Sequence, residues 1–172
     1  MSDYLSKQKQ MHNTLVRSFK SLSGLQEHSN PYSHFDAFDD KRIVEYKWRN
    51  GRGYDSLILD KSKFDPCIRI AKEHNRQFWY VNYFDDHYYC FNISKLVDSD
   101  YLFDWKEVLA NGKTAISGHS GNGVKVMKTT CLLPLDIAHI TFSVGSDGLA
   151  QNVQKRKFSK VDQRASLLAP SI

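Results

Sequence analysis

The stretch "FDAFDDKRIVEYKW", residues 35–48, decides how the chain is read, because it writes strand-like alternation around a polar turn and places charges inside it. Val44, Tyr46 and Trp48 alternate with Glu45 and Lys47, so one face of a strand over 42–48 is apolar and the other is charged. Residues 32–38 alternate too and supply the partner strand of a hairpin. The loop length then fixes where Asp36 points. A three-residue loop over 39–41 sets Asp36 opposite Val44, away from Glu45. A four-residue loop, "DDKR" over 39–42, pairs Asp36 with Glu45 and His34 with Lys47. A two-residue Asp-Asp turn also gives matching faces but lacks the glycine such turns favour. The four-residue turn is the expectation.

Two carboxylates directly opposed across a sheet repel and destabilise it. A divalent cation reverses that sign, and Mg²⁺ is commonly held by one or two acids plus phosphate oxygens and waters. Lys47 on the same face then orients or deprotonates a water, or offsets developing negative charge. Metal, water and cation are the parts of a metal-assisted phosphodiester hydrolysis. Without metal, neutralising Glu45 is expected to stabilise the chain by relieving the repulsion. The bland alternative is a solvent-facing hairpin with a cross-strand salt bridge, a contribution of about 0.2–1 kcal/mol.

Outward from the hairpin, Met11, Leu15, Phe19 and Leu22 recur at helical spacing within a helix over 4–23, with Gly24 as its stop. "DKSKFDPCIRIAKEHN" predicts a second helix with Asp65 as N-cap and Pro66 at its first position. "FWYVNYF" and "HYYCFNI" flank Asp85-Asp86 and predict an aromatic hairpin. Further strands are expected over 113–118 and 123–133, with "GHSGNG" between them. The order implies α/β or α+β architecture, a single domain with a mixed central β-sheet. Domain limits are drawn at 1–145, with the core over 25–142, followed by a polar extension over 146–172 expected to lack regular structure and to be flexible.

Composition bounds the function. With 41% hydrophobic and 25% charged residues the 172-residue chain is ordinary for a globular domain. No run approaches the roughly 18 apolar residues of a membrane span, and the polar N-terminus lacks a signal-peptide core. Cys67, Cys90 and Cys131 are odd in number and widely spaced, which predicts reduced, buried thiols in a cytoplasmic protein. The net charge of +5 is uneven: Lys155, Arg156, Lys157, Lys160 and Arg164 against Asp162 give residues 151–172 a net +4. This permits a polyanion partner, with Lys155, Arg156 and Lys157 as candidate phosphate contacts; the alternative is a tail that only helps solubility.

Asp36, a turn, and then Glu45-Tyr46-Lys47 on the next strand resemble the signature of the PD-(D/E)xK nuclease superfamily. "YDSLILDKSKFDPCIRIAKEHN", "FWYVNYFDDHYYCFNI" and "KVMKTTCLLPLDIAHI" are also similar to small nuclease-fold proteins of phages and mobile elements, and the resemblance covers residues 25–140. It implies a restriction-endonuclease-like mixed sheet flanked by helices, in which Asp36 and Glu45 bind Mg²⁺ or Mn²⁺ and Lys47 assists the attacking water. It also makes Glu27 a candidate third acid and Lys61 or Lys63 a candidate basic residue on the following helix. Phe35 stands where the superfamily's name has proline. The implied activity is a Mg²⁺-dependent endodeoxyribonuclease with DNA as partner, for which a homodimer is an allowed state. The rivals are a catalytically inactive nuclease-fold protein that binds nucleic acid, and a protein-interaction module.

Other motifs carry less. Asp39-Asp40 and Asp85-Asp86 read as turn residues. "NGKTAIS" imitates the end of a phosphate-binding loop, but Glu107 stands where its first glycine belongs.

Overall fold

A computed structural model describes residues 2–30, 33–50, 53–113 and 120–156. Helix α1 (Ser2–Ser18) is followed by a 3-10 turn over Lys20–Leu22 and three antiparallel strands, β1 (Gln26–Glu27), β2 (Ala37–Phe38) and β3 (Arg42–Trp48). Strand β4 (Ser56–Asp60) and helix α2 (Lys61–Glu73) then form a crossover to β5 (Gln77–Phe84), which pairs with β3 in parallel. Strand β6 (His87–Asn92), helix α3 (Ile93–Asp98), β7 (Lys106–Lys113), β8 (Ser120–Pro134), β9 (Ile140–Val144) and β10 (Ala150–Lys155) follow. Seven strands make one mixed sheet in the order β1-β2-β3-β5-β6-β9-β10, and β4-β8-β7 make a second, smaller sheet. The mixed α+β architecture expected from the sequence is the one observed.

Two apolar layers sandwich the large sheet. Met11 and Leu15 of α1 pack with Val44, Tyr46, Val81 and Tyr88 on one face. Cys67 and Ala71 of α2 pack with Ile43, Phe78, Tyr80 and Phe91 on the other, together with Leu57, Leu59 and Cys131 of the small sheet. The central strands β3, β5 and β6 therefore alternate between two buried layers, which is why residues 77–84 and 87–92 are apolar almost throughout. Asp85 (φ 48) and Asp86 (φ 61) turn the aromatic hairpin in left-handed backbone that aspartate tolerates better than most residues.

Some elements differ from the sequence reading. Helix α1 ends at Ser18 because Phe19 is extended (φ −127, ψ 107), so the last turn is a separate 3-10 segment. Helix α2 begins at Lys61, not at Pro66, and Asp60 is its extended N-cap. Pro66 lies inside it without an N–H to donate, and the burial of Cys67 and Ala71 holds the helix despite that loss. Strand β7 starts at Lys106 rather than 113, and Ser120–Gly123, expected in a turn, belong to β8. Beyond 145, where no regular structure was expected, Ala150–Lys155 add strand β10 against β9. The supposed flexibility of residues 157–172 lies outside the described residues. Among the described residues no helix is long and apolar enough to cross a membrane, and Cys67, Cys90 and Cys131 are all buried free thiols.

Candidate active site

The register of the first hairpin is Ala37 opposite Val44 and Phe38 opposite Ile43; Asp36 precedes β2 and its amide donates to the Val44 carbonyl at 2.9 Å, so the expected pairing of Asp36 with Glu45 is not formed. The turn over 39–42 is pinned by Asp39: its N–H donates to the Arg42 carbonyl at 2.9 Å, and its Oδ1 accepts from the Lys41 and Arg42 amides at 2.8 Å each. The even-length turn is therefore the one formed, and Asp39 works as a turn residue.

Glu45 points into the α2 layer, beside Ile43 and Lys47, and is fully buried. A lone carboxylate there would be costly, and two cations answer it. Lys47 Nζ lies 2.5 Å and Lys63 Nζ 3.2 Å from its Oε1. Lys63 also donates to Oε2 at 3.3 Å and to the His34 carbonyl at 3.3 Å. Neither cation meets Oε1 with hydrogen-bond geometry. Lys63 reaches the acid only because α2 starts at Lys61, one turn before the position the sequence suggested. The lysines also reverse one expectation. Opposed carboxylates alone would make neutralising Glu45 stabilising, whereas here it removes the partner of two ammonium groups.

Asp36 is differently placed. Just before β2 its Oδ2 accepts from the Tyr46 amide at 2.7 Å, taking a ladder hydrogen bond, and its Oδ1 accepts from Gln8 Nε2 of α1 at 2.8 Å. Burial first, and then the charge of Glu45, push its pKa from 3.8 up to about 7, against the lowering pull of Lys47, the Tyr46 amide and Lys63. The two acids thus feel each other while drawing on different partners, Asp36 on α1 and Glu45 on α2.

Glu27 does not join them. It is exposed on β1, opposite Ala37, and its charge acts on His12 and Tyr46, whose ring nitrogen Nδ1 and hydroxyl lie 3.2 Å apart in the α1 layer. Among the described residues no group of three or more His, Cys, Asp or Glu side chains is gathered to hold a metal. Asp36 and Glu45 act on each other electrostatically, but each carboxylate already has its own partners, Gln8 and the Tyr46 amide for one and two lysines for the other. Lys61 pairs with Asp65 at 2.6 Å and sits over the rings of Trp105 and Phe64 at 5.1 and 5.9 Å. Lys155 ends β10, at the sheet edge opposite β1, and Arg156 is tied to the Asp136 carbonyl and, at 3.9 Å, to its carboxylate. Those two cations are remote from the acid pair, and Lys157 lies outside the described residues.

Three features escaped the sequence reading. Gln8 shares the helical stripe of Met11 and Leu15, a polar residue at a core-facing position, and that misfit was its signal. Arg49 continues the alternation of Glu45 and Lys47; it donates to the Ile58 carbonyl at 2.6 Å, to the Tyr80 hydroxyl at 2.8 Å and to Asn82 Oδ1 at 3.4 Å. Asn82 is the lone amide in "FWYVNYF", directly beside Lys47 in the parallel register, and fully buried. The chain matches no protein-family model, no curated protein and no solved structure.

Proposed function

We propose that the protein is a divalent-metal-dependent endodeoxyribonuclease that hydrolyses DNA phosphodiester bonds at Asp36, Glu45 and Lys47. The observation that carries the reading is the buried Glu45 beside Lys47 and Lys63, with Asp36 near enough for the charge of Glu45 to act on it. The resemblance to PD-(D/E)xK nucleases assigns chemistry to the same three residues. Asp36 and Glu45 would hold Mg²⁺ or Mn²⁺, which when bound acidifies a water and offsets charge on the phosphate. Asp36 enters that role deprotonated, so its raised pKa makes it the titrating member of the pair. Gln8 and the Tyr46 amide keep its carboxylate oriented. Lys47 holds or orients the attacking water and neutralises charge in the transition state. Lys63 compensates Glu45 from α2 and can follow the phosphate once a cation takes the carboxylate.

A second reading, a nuclease-fold protein that binds nucleic acid or a protein partner without cleaving, is favoured by one feature. Glu45 is fully buried and already neutralised by two lysines, as a structural ion cluster would be. Incubating the purified protein with linear, nicked and branched DNA, with and without Mg²⁺ or Mn²⁺, separates the two. Cleavage that requires the divalent ion supports hydrolysis; salt-sensitive binding with no cleavage on any substrate supports the second reading. On the hydrolase reading Lys47→Ala lowers turnover more than DNA affinity, because its contribution lies in the transition state.

A further inference from the structure

The β7–β8 ribbon is the largest feature that the acid pair leaves unexplained. Strand β4 covers β8 only from Thr130 to Pro134, whereas β7 runs along β8 from Thr130 out to Ser120. Beyond Thr130 the ribbon is thus two strands, and among the described residues no third strand pairs beside them. Its eight-residue β7 implies a reach of about 25 Å. A two-stranded hairpin is marginal on its own, and this one leaves large apolar side chains in solvent on both faces. Leu109 and Met127, directly opposed, are 59% and 60% exposed, and Val108 and Val126 on the other face are 39% and 36% exposed.

The charges say what suits it. Along the described side chains of the ribbon, Lys106, Lys125 and Lys128 stand against one acid, Glu107. By strand alternation Lys106, paired with Asp104 at 2.8 Å, and Lys128 share the face of Val108 and Val126, and Lys125 and Glu107 share that of Leu109 and Met127. A ribbon made to dock on a protein surface would be apolar on one side and polar on the other. This ribbon is apolar on both sides and carries three lysines against one acid, which fits a slot with anionic walls and an apolar floor. The major groove of B-DNA is such a slot, about 12 Å wide, and admits a two-stranded ribbon. The ribbon also springs from the neighbourhood of the acid pair: Trp105, just before β7, packs on Phe64 of α2 at 5.0 Å, and Lys63 of the same helix reaches Glu45.

We propose that the β7–β8 ribbon is a DNA-binding arm that lies in the major groove, its lysines on phosphates and its apolar side chains on base edges. The inference rests on DNA being the substrate and names the surface that holds it. The test is anisotropy of a labelled duplex titrated with the full chain in EDTA at several salt concentrations. Replacing Lys125→Gln with Lys128→Gln should lower the slope of log affinity against log salt by about 1.8, roughly 0.9 for each phosphate left without its lysine. Leu109→Ser with Met127→Ser should weaken binding at every salt concentration and leave the slope unchanged. An unchanged slope in the lysine variant overturns the proposal. So does a sedimentation result in which the Leu109→Ser, Met127→Ser variant turns a dimer into a monomer without loss of DNA affinity, since the ribbon would then serve a second copy. Binding that depends on the ribbon, in a wild type that never cleaves, defeats the hydrolase reading and leaves the arm standing. Cleaving wild type with a lysine variant of identical affinity does the reverse, and a chain that neither binds nor cleaves DNA defeats both.

Discussion

The two hairpins of the large sheet lie side by side and are built on opposite principles. In the β5–β6 hairpin Tyr80 opposes Phe91 and Tyr83 opposes Tyr88, and no charged side chain enters the ladder before His87 at its tip. In the β2–β3 hairpin, Glu45 sits beside Tyr80 in the parallel register, buried to the same degree, yet carries a charge that two lysines must answer. The neighbouring hairpin demonstrates that this sheet can be built from pairs without a buried carboxylate or lysine. The acids are therefore not needed to form a strand at that place. They lower its stability relative to a well-packed apolar alternative, and on the proposed hydrolase reading chemistry is the reason to keep them.

If the aromatic hairpin carries the stability, truncating it has the largest effect. Phe91→Ala should cost about 3–5 kcal/mol, read as a lowered urea midpoint with the metal-free protein. Glu45→Gln should destabilise less, about 1–3 kcal/mol, because it breaks charge-assisted contacts whose lysine ends are partly solvated. A gain in stability there would mean that carboxylate repulsion outweighs the lysines, and would reverse the reading of the cluster.

The pH dependence of stability sharpens the contrast. Asp36 titrates near 7 when folded and near 3.8 when unfolded, so the folded state keeps the proton longer and its contribution falls as pH rises across that window. His139 is opposite. Burial first, then Lys95 and Arg156, lower its pKa from 6.5 to about 4, so stability is lost as pH falls through that range. Between about pH 4 and 6.5 the two slopes oppose each other, each on the order of 1 kcal/mol per pH unit. In EDTA, Asp36→Asn should therefore leave a stability that rises with pH, and His139→Gln one that falls. Equal profiles for wild type and Asp36→Asn would show that Asp36 is not perturbed. The smallest effect belongs to the aromatic turn. Asp86→Gly relieves left-handed backbone at φ 61 but loses the 2.9 Å hydrogen bond from the Tyr83 hydroxyl, so the unfolding free energy from urea titration should stay within about 0.5 kcal/mol of wild type.

What was legible in the sequence followed from period-two alternation. The even-length turn, the common face of Glu45 and Lys47, and the aromatic hairpin follow from local pattern, whereas the expected pairing of Asp36 with Glu45 gives way to an Asp36 amide bonded to the Val44 carbonyl. What was not legible depends on contacts between distant segments. Strand β4 exists because Leu57 and Leu59 are buried against Cys131 and Leu133 of β8, about 75 residues away in sequence. The start of α2 was obscured by Pro66, whose local preference for a first turn lost to the burial of the helix. Gln8 contacts Asp36 from 28 residues upstream, and only the packing of α1 on the sheet brings them together.

The central claim is that the buried acids serve hydrolysis, and cleavage of DNA by wild type, Asp36→Asn and Glu45→Gln in Mg²⁺ or Mn²⁺ tests it most directly. Circular dichroism of each protein confirms that it is folded. The account predicts that wild type cleaves only with the divalent ion and that each variant, still folded, loses activity by at least about 100-fold, since each removes charge the cation needs. A wild type that cleaves no DNA with either ion, or an Asp36→Asn variant that cleaves as well as wild type, would contradict it.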